Sequence, residues 1–298
     1  MKSAFTLALL SLIGGYAIAQ KNEPVSEQKK SAAVTSGKVL KKVISLQMPL
    51  QNGQDFAGKR GASVAWHPIQ KKYYAAIAGN SRFPLAIFDS KGKRLTADTL
   101  KTQRDIRGLW YEPASKSIQG NTYKDSGWFS YNLNAKGMVT GFKTIRTGIN
   151  QPNYQSVGAF NSKSKEVIFL SDGQLYKYPL NRKNDNNPSD SLMIVWDSYG
   201  NKFTEDDIDN YAALMFNFET PEEYNSYTVL YTGIPGAELG FLHIYNNQID
   251  LFNIKDGLYT KSILLPQGTA TEGAFNLAYC NGIYWIFNME TRCWDGYK

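Results

Sequence analysis

Arginine set beside acids and amides is the chemistry that this sequence offers most often. Lys59 and Arg60 precede one apolar run, Arg104, Asp105 and Arg107 a second, Asn153, Tyr154 and Gln155 a third, Asp207, Asp209 and Asn210 a fourth, and Glu272 a fifth. A guanidinium presents a planar fork of donors that matches a carboxylate or a phosphate. Arg60 and Arg107 therefore read as bidentate grips on a small polar or anionic ligand, with Asn153, Tyr154 and Glu272 completing the contact set. The competing reading is that these charges neutralise one another and line a wet channel. Other chemistries have little to stand on. His67 and His243 are the only histidines, and neither has a third histidine or a paired acid at ligand spacing. No Gly-x-Ser-x-Gly elbow, phosphate loop or dinucleotide fingerprint occurs. The acidic run Glu205, Asp206, Asp207 and Asp209 lacks the Gly and the distal Glu of a calcium loop and reads as a solvated loop.

Whether the clusters meet depends on the elements between them. One phrase recurs: LAIFDSKGK at 85–93, FSYNLNAKGM at 129–138 and QIDLFNIKDGL at 248–258. Each is an alternating apolar run, then Asn or Asp, a spacer and Gly, which spells a strand entering a tight hairpin. The turn needs positive φ, which Gly92, Gly137 and Gly257 adopt without a side-chain clash. We place the phrase at the corner between the third and fourth strands of a four-stranded unit. Three such units follow one another, and their first strands start at 61, 108 and 156, intervals of 47 and 48 residues, the length of a propeller blade.

The candidate inner strands (GASVAW, GLWY, SVGAF, AALMF and GAFNLAY) are rich in small residues, as strands crowded round a central channel must be. Residues 198–265 hold one strand too many for a single unit, so an insertion in one blade and a degenerate sixth blade both stay open. The last group, 274–297, has three strands, and the lone strand at 39–48 supplies a fourth, which seals the ring and removes two open edges. The sequence thus predicts an all-β chain, a β-propeller of four-stranded antiparallel blades, five favoured over six, closed by its N-terminal strand.

These strand-turn phrases and small inner strands resemble the propellers of periplasmic and secreted bacterial proteins, of TolB-like or YncE-like architecture, over residues 39–298. Neither the Gly-His and Trp-Asp pairing of WD40 repeats nor the double glycine of kelch repeats is present. The resemblance implies that ligands meet the loops at the channel mouth, where the inner strands begin. That is where the clusters above fall, and it makes the chain a non-catalytic ligand-binding or scaffold module. A likeness to metal-dependent hydrolases and lactonases of the gluconolactonase type is the alternative. It implies a divalent cation such as Ca²⁺ on Glu272, Asn153 and Asp209, although Arg60 and Arg107 would repel it.

Composition supports the fold and bounds the partners. Aromatic residues make up 13% of the chain, with 19 Tyr, 15 Phe and 6 Trp, which suits strands. Lys2, an apolar stretch at 4–17 and the small residues before Gln20 form a secretory signal peptide, residues 1–19, cleaved after Ala19. Residues 20–38 are polar and Lys-rich and read as a disordered tether; residues 39–298 form the propeller domain. No later stretch is long and apolar enough to span a bilayer, so a periplasmic or secreted monomer is expected.

Of the formal net charge of +7, about +5 sits in residues 1–42 as seven Lys against two Glu. Nucleic acid therefore loses its main support as a partner, and no cofactor is expected. Cys280 and Cys293 fall at opposite ends of one intervening strand, roughly 20 Å apart at ~3.3 Å per residue, too far for a disulfide; two free, buried thiols are expected. Trp110, Tyr111, Trp128, Tyr154, Tyr199, Tyr211 and Trp294 offer stacking faces for sugars or peptide side chains, if they are not core between blades.

Overall fold

The computed structural model describes residues 37–49, 58–79, 85–97, 104–182, 186–196 and 220–298. The expected signal peptide, the tether up to Ser36, Tyr199, Tyr211, and the acidic run with Asp207, Asp209 and Asn210 lie outside the described residues. The described chain forms nineteen strands in five antiparallel sheets. No helix among the described residues is long and apolar enough to cross a membrane.

Strand β1 (Lys42–Gln47) comes first. Blade 1 holds β2 (Arg60–His67), β3 (Lys72–Ala78) and β4 (Leu85–Asp89), and blade 2 holds β5 (Ile106–Glu112), β6 (Ser117–Thr122), β7 (Trp128–Leu133) and β8 (Val139–Arg146). Blade 3 holds β9 (Ala159–Asn161), β10 (Glu166–Ser171), β11 (Gln174–Pro179) and β12 (Asp190–Met193). Blade 4 holds β13 (Leu230–Tyr231), β14 (Leu239–His243), β15 (Gln248–Phe252) and β16 (Tyr259–Leu264), and blade 5 holds β17 (Leu277–Cys280), β18 (Ile283–Asn288) and β19 (Cys293–Tyr297). The innermost strands β2, β5, β9, β13 and β17 touch their neighbours in turn, and β17 meets β2, so five blades close a circle.

Beta1 supplies the fourth strand of the last sheet, pairing with β19 from Lys42 opposite Tyr297 to Gln47 opposite Cys293. The fold begins slightly earlier than the expected end of the tether. Lys38 O accepts from Leu264 N and Leu40 N donates to Leu264 O, so residues 38–40 dock on β16 before β1 joins blade 5. The N-terminal segment thus ties two blades together.

The glycine corners fall where expected, between third and fourth strands, with φ of 86° at Gly92, 70° at Gly137 and 76° at Gly257. Blade 1 is the exception to four full strands. Arg94 bridges Phe88, but Ile87 N–H donates to Thr96 Oγ1 at 3.2 Å, so a side chain takes over where the ladder stops. In blade 4 the innermost strand among the described residues is Leu230–Tyr231; AALMF at 212–216 lies outside the described residues.

Between each pair of blades sits one apolar core, five in all among the described residues. Large aromatics fill them, with Trp128, Trp196, Trp285 and Trp294 fully buried, because flat twisted sheets standing in a circle leave wedge-shaped gaps that wide rings fill. Trp110, Trp128 and Trp294 are therefore core, whereas Tyr154 is exposed. Two inner-strand glycines sit where no side chain fits. A Cβ on Gly61 would collide with Trp294 and Phe287, and one on Gly108 with Asn121 and the backbone of Gly158.

Candidate functional site

The five inner strands run in the same direction, from a mouth face where they begin to a far face where they end. At the mouth, three fully buried asparagines stitch blade to blade. Asn121 Oδ1 accepts from Gly158 N at 3.1 Å and its amide donates to Ser156 O at 2.9 Å. Asn225 Nδ2 donates to Glu272 O and Phe275 O. Asn276 Oδ1 accepts from Gly61 N at 2.6 Å, and Asn276 N donates back to Gly61 O at 3.0 Å. These amides satisfy backbone groups that the inner edge of each sheet would otherwise leave unpaired. Reading the sequence did not single them out.

Arg107 is buried here. Nη1 pairs with Asp105 Oδ1 at 2.5 Å, Nε donates to Gln155 Oε1 at 2.9 Å, and the guanidinium lies 4.6 Å from the Tyr123 ring centre and 5.3 Å from that of Phe275. Arg107 thus joins blade 2 to the loops that open blades 3 and 5. Asn153 belongs to the same network, since its Oδ1 accepts from Gln155 N at 2.9 Å. Tyr154 stands exposed above it, its ring 6.3 Å from Tyr123. Glu272 reaches this corner through its backbone carbonyl, and its carboxylate has no hydrogen-bond or ion-pair partner among the described residues. Arg60 is exposed at the start of β2 and likewise has no such partner among them.

For the metal alternative, Asp209 lies outside the described residues and the Asn153 oxygen is already engaged. Among the described residues no group of three His, Cys, Asp or Glu side chains stands close enough to hold a metal ion. The described residues at this mouth do not by themselves complete a Glu, Asn and Asp cradle.

The far half of the channel is different. A cavity of about 250 Å³ is lined by all five inner strands, and each contributes an aromatic side chain near its end: Trp66, Tyr111, Phe160, Tyr231 and Tyr279. All five are half-buried, one edge packed against an inter-blade core and the other on the cavity. Burial raises the hydroxyl pKa of Tyr111, Tyr231 and Tyr279, so all three stay protonated donors at neutral pH. Ser63, Ser162, Thr228 and Asn281 add small polar groups, and Thr228 Oγ1 is buried without a hydrogen-bond partner among the described residues.

The residue after each aromatic explains how the ring is held. His67 Nδ1 accepts from Gln70 N, Glu112 accepts from Ala114 N and Ser115 N, Asn161 accepts from Lys163 N and Ser164 N, and Thr232 Oγ1 accepts from Ile234 N. Each acceptor caps the turn that follows its inner strand. Because Nδ1 accepts, His67 carries its proton on Nε2, which donates to Lys116 O at 3.1 Å in the next blade. In blade 5 the corresponding residue is Cys280. Both cysteines are free and, contrary to expectation, only partly buried by their residue exposure; burial of the sulfur itself raises the Cys280 thiol pKa.

Fold and channel together define a five-bladed β-propeller with an aromatic-ringed cavity at one end. No protein-family model and no curated protein matches the chain. Among solved structures it is similar to Myxococcus xanthus glutaminyl cyclase, at 6% identity over 88% of this chain and 96% of that one, TM-score 0.49. It is also similar to a streptogramin B lyase, at 12% identity over 83% of this chain and 65% of that one, TM-score 0.37. A third likeness is to an auxiliary nutrient binding protein from Bacteroides ovatus, at 11% identity over 80% of this chain, TM-score 0.41. The chain spans 65% and 58% of the last two. At such identities the likeness concerns the fold alone.

Proposed function

We propose that this protein is an exported, non-catalytic binding module, and that its ligand seats in the far end of the central channel. One observation carries the reading: five half-buried aromatics, one from each blade, surround a single cavity of about 250 Å³. Ring faces beside hydroxyl and amide groups suit a sugar ring, which has an apolar face to stack and hydroxyls to hydrogen-bond. Export rests on residues 1–19, with the mature chain starting at Gln20.

The test is a thermal-shift screen against mono- and oligosaccharides, since a ligand bound only by the folded form raises the melting temperature. Tyr111→Ala and Tyr279→Ala abolish the shift, while Arg60→Ala and Tyr154→Ala keep it. The reverse pattern overturns the far-end site. A second reading places a protein partner on the mouth face, favoured by the exposed side chains of Arg60 and Tyr154 and by the half-buried Glu272, whose carboxylate has no partner among the described residues; Arg107, held by Asp105 and Gln155, then orders that face and Asn153 shapes its loop.

A further inference from the structure

Lysine stands at one repeated position in the turns that reach the far cavity, where Pro68, Pro113 and Ser162 of the same turns line it. Five residues beyond Trp66, Tyr111 and Phe160 come Lys71, Lys116 and Lys165, each in the turn that leaves the inner strand and each exposed. All three adopt left-handed backbone, with φ of 50°, 51° and 58°. A side chain other than Gly or Asn costs about 1–2 kcal/mol in that region, and blade 5 does place an Asn, Asn281 at φ 55°, in its corresponding turn. Turn geometry therefore favours Gly or Asn, and three consecutive blades carry a cation instead.

These turns offer the lysines little to pair with. Lys71 and Lys116 make no ion pair among the described residues. The acid nearest to Lys116 along the chain, Glu112, spends its carboxylate on Ala114 N and Ser115 N, and the charge of Lys165 acts on it from blade 3; Glu166, next to Lys165, accepts from Ser189 Oγ. The His67 bond to Lys116 O holds two of the turns together across the blade boundary. Ser162 and Asn281, in the turns of blades 3 and 5, line the cavity.

Resting on the far-end reading above, we infer that the ligand is an anionic saccharide: its sugar ring stacks in the aromatic cavity, and its carboxylate or sulfate meets the lysines of blades 1 to 3. The three cations come one from each of three successive blades, each in the turn that leaves an inner strand, and not from one strand. They suit a compact molecule or a chain end, and not a nucleic-acid strand passing across the surface.

The experiment titrates the whole protein with oligogalacturonate and its neutral methyl ester, and with a sulfated galactan tetrasaccharide and its neutral desulfated form, so that carboxylate and sulfate sources are separated. Wild type prefers one acid over its neutral partner by about tenfold at low salt, the product of three weak exposed pairs, and salt erodes the preference. The Lys71→Asn, Lys116→Asn, Lys165→Asn triple variant loses the preference, still binds the neutral partner, and melts no lower than wild type because Asn tolerates left-handed backbone. Equal binding of acid and neutral forms by wild type, or an acid preference that survives in the triple variant, overturns the charge inference and leaves the cavity standing. No binding of any saccharide overturns both. Tighter binding of a single-stranded DNA pentamer than of either acid overturns the saccharide assignment.

Discussion

Lys42 and Tyr297 face each other in one antiparallel ladder, so the first strand of the fold and the last are hydrogen-bonded neighbours. Removal of β1 bares the edge of β19 and takes Leu46 from the core that it shares with Trp294. Leu46 is fully buried on that strand and Val43 is 54% exposed. Leu46→Ala is expected to cost about 2–5 kcal/mol and Val43→Ala no more than about 0.5 kcal/mol, both read by urea unfolding. Equal effects would mean that the strand does not close the circle.

Asn276→Ala removes the acceptor of Gly61 N, and that buried donor is left without a partner. The expected loss is about 1–3 kcal/mol, measured by the same unfolding assay. It should not add to the loss from a second substitution at the joint of blades 5 and 1, such as Leu46→Ala, if the two sit in one cooperative joint.

His67 gives the fold a pH dependence. Burial lowers its pKa, the Lys116 carbonyl bond opposes this, and the charge of Lys72 adds to the lowering. Above pH ~6.5 both folded and unfolded states are neutral and the group contributes nothing to the pH dependence. Below it the unfolded chain takes up the proton first, while the folded state resists because protonation breaks the Gln70 N–H bond to Nδ1. Stability therefore falls as pH drops from about 6.5 towards the lower folded pKa. His67→Gln should flatten this part of the melting-temperature profile, and an unchanged slope would assign it elsewhere.

Cys280 and Cys293 are free and lie at opposite ends of β18. Alkylation in denaturant without reductant is expected to add two labels to the intact mass. Without denaturant Cys280 reacts slowly, its thiol raised by burial. A chain that takes no label until reduced would show a disulfide instead.

The circle of blades was legible because its signals are local: a glycine that must turn left-handed, an apolar alternation of period two, and a leftover strand at the front of the domain. The far cavity was written in the same strings, since GASVAW, GLWY, SVGAF and GAFNLAY each end on one of its aromatics. In blade 4 the inner strand among the described residues is two residues long beside Gly233 and Pro235, too short for alternation to reveal. At the mouth, residue types located Arg107 beside Asp105 but gave no sign that the pair is buried under Tyr123 and Phe275. Nor does a sequence show that Lys71, Lys116 and Lys165 sit in left-handed backbone, because that depends on how each turn closes.

The most direct test of the binding account uses the tryptophans. Of the six in the chain, half-buried Trp66 and buried Trp110 line the far cavity, whereas Trp128, Trp196, Trp285 and Trp294 are fully buried and do not line it. Titration with the acidic saccharide that binds best should change the intrinsic fluorescence of wild type. In the double variant Trp66→Phe, Trp110→Phe, which keeps a ring at each place, the fluorescence change disappears while the thermal shift remains. A fluorescence change that persists in the double variant would put the ligand elsewhere and contradict the account.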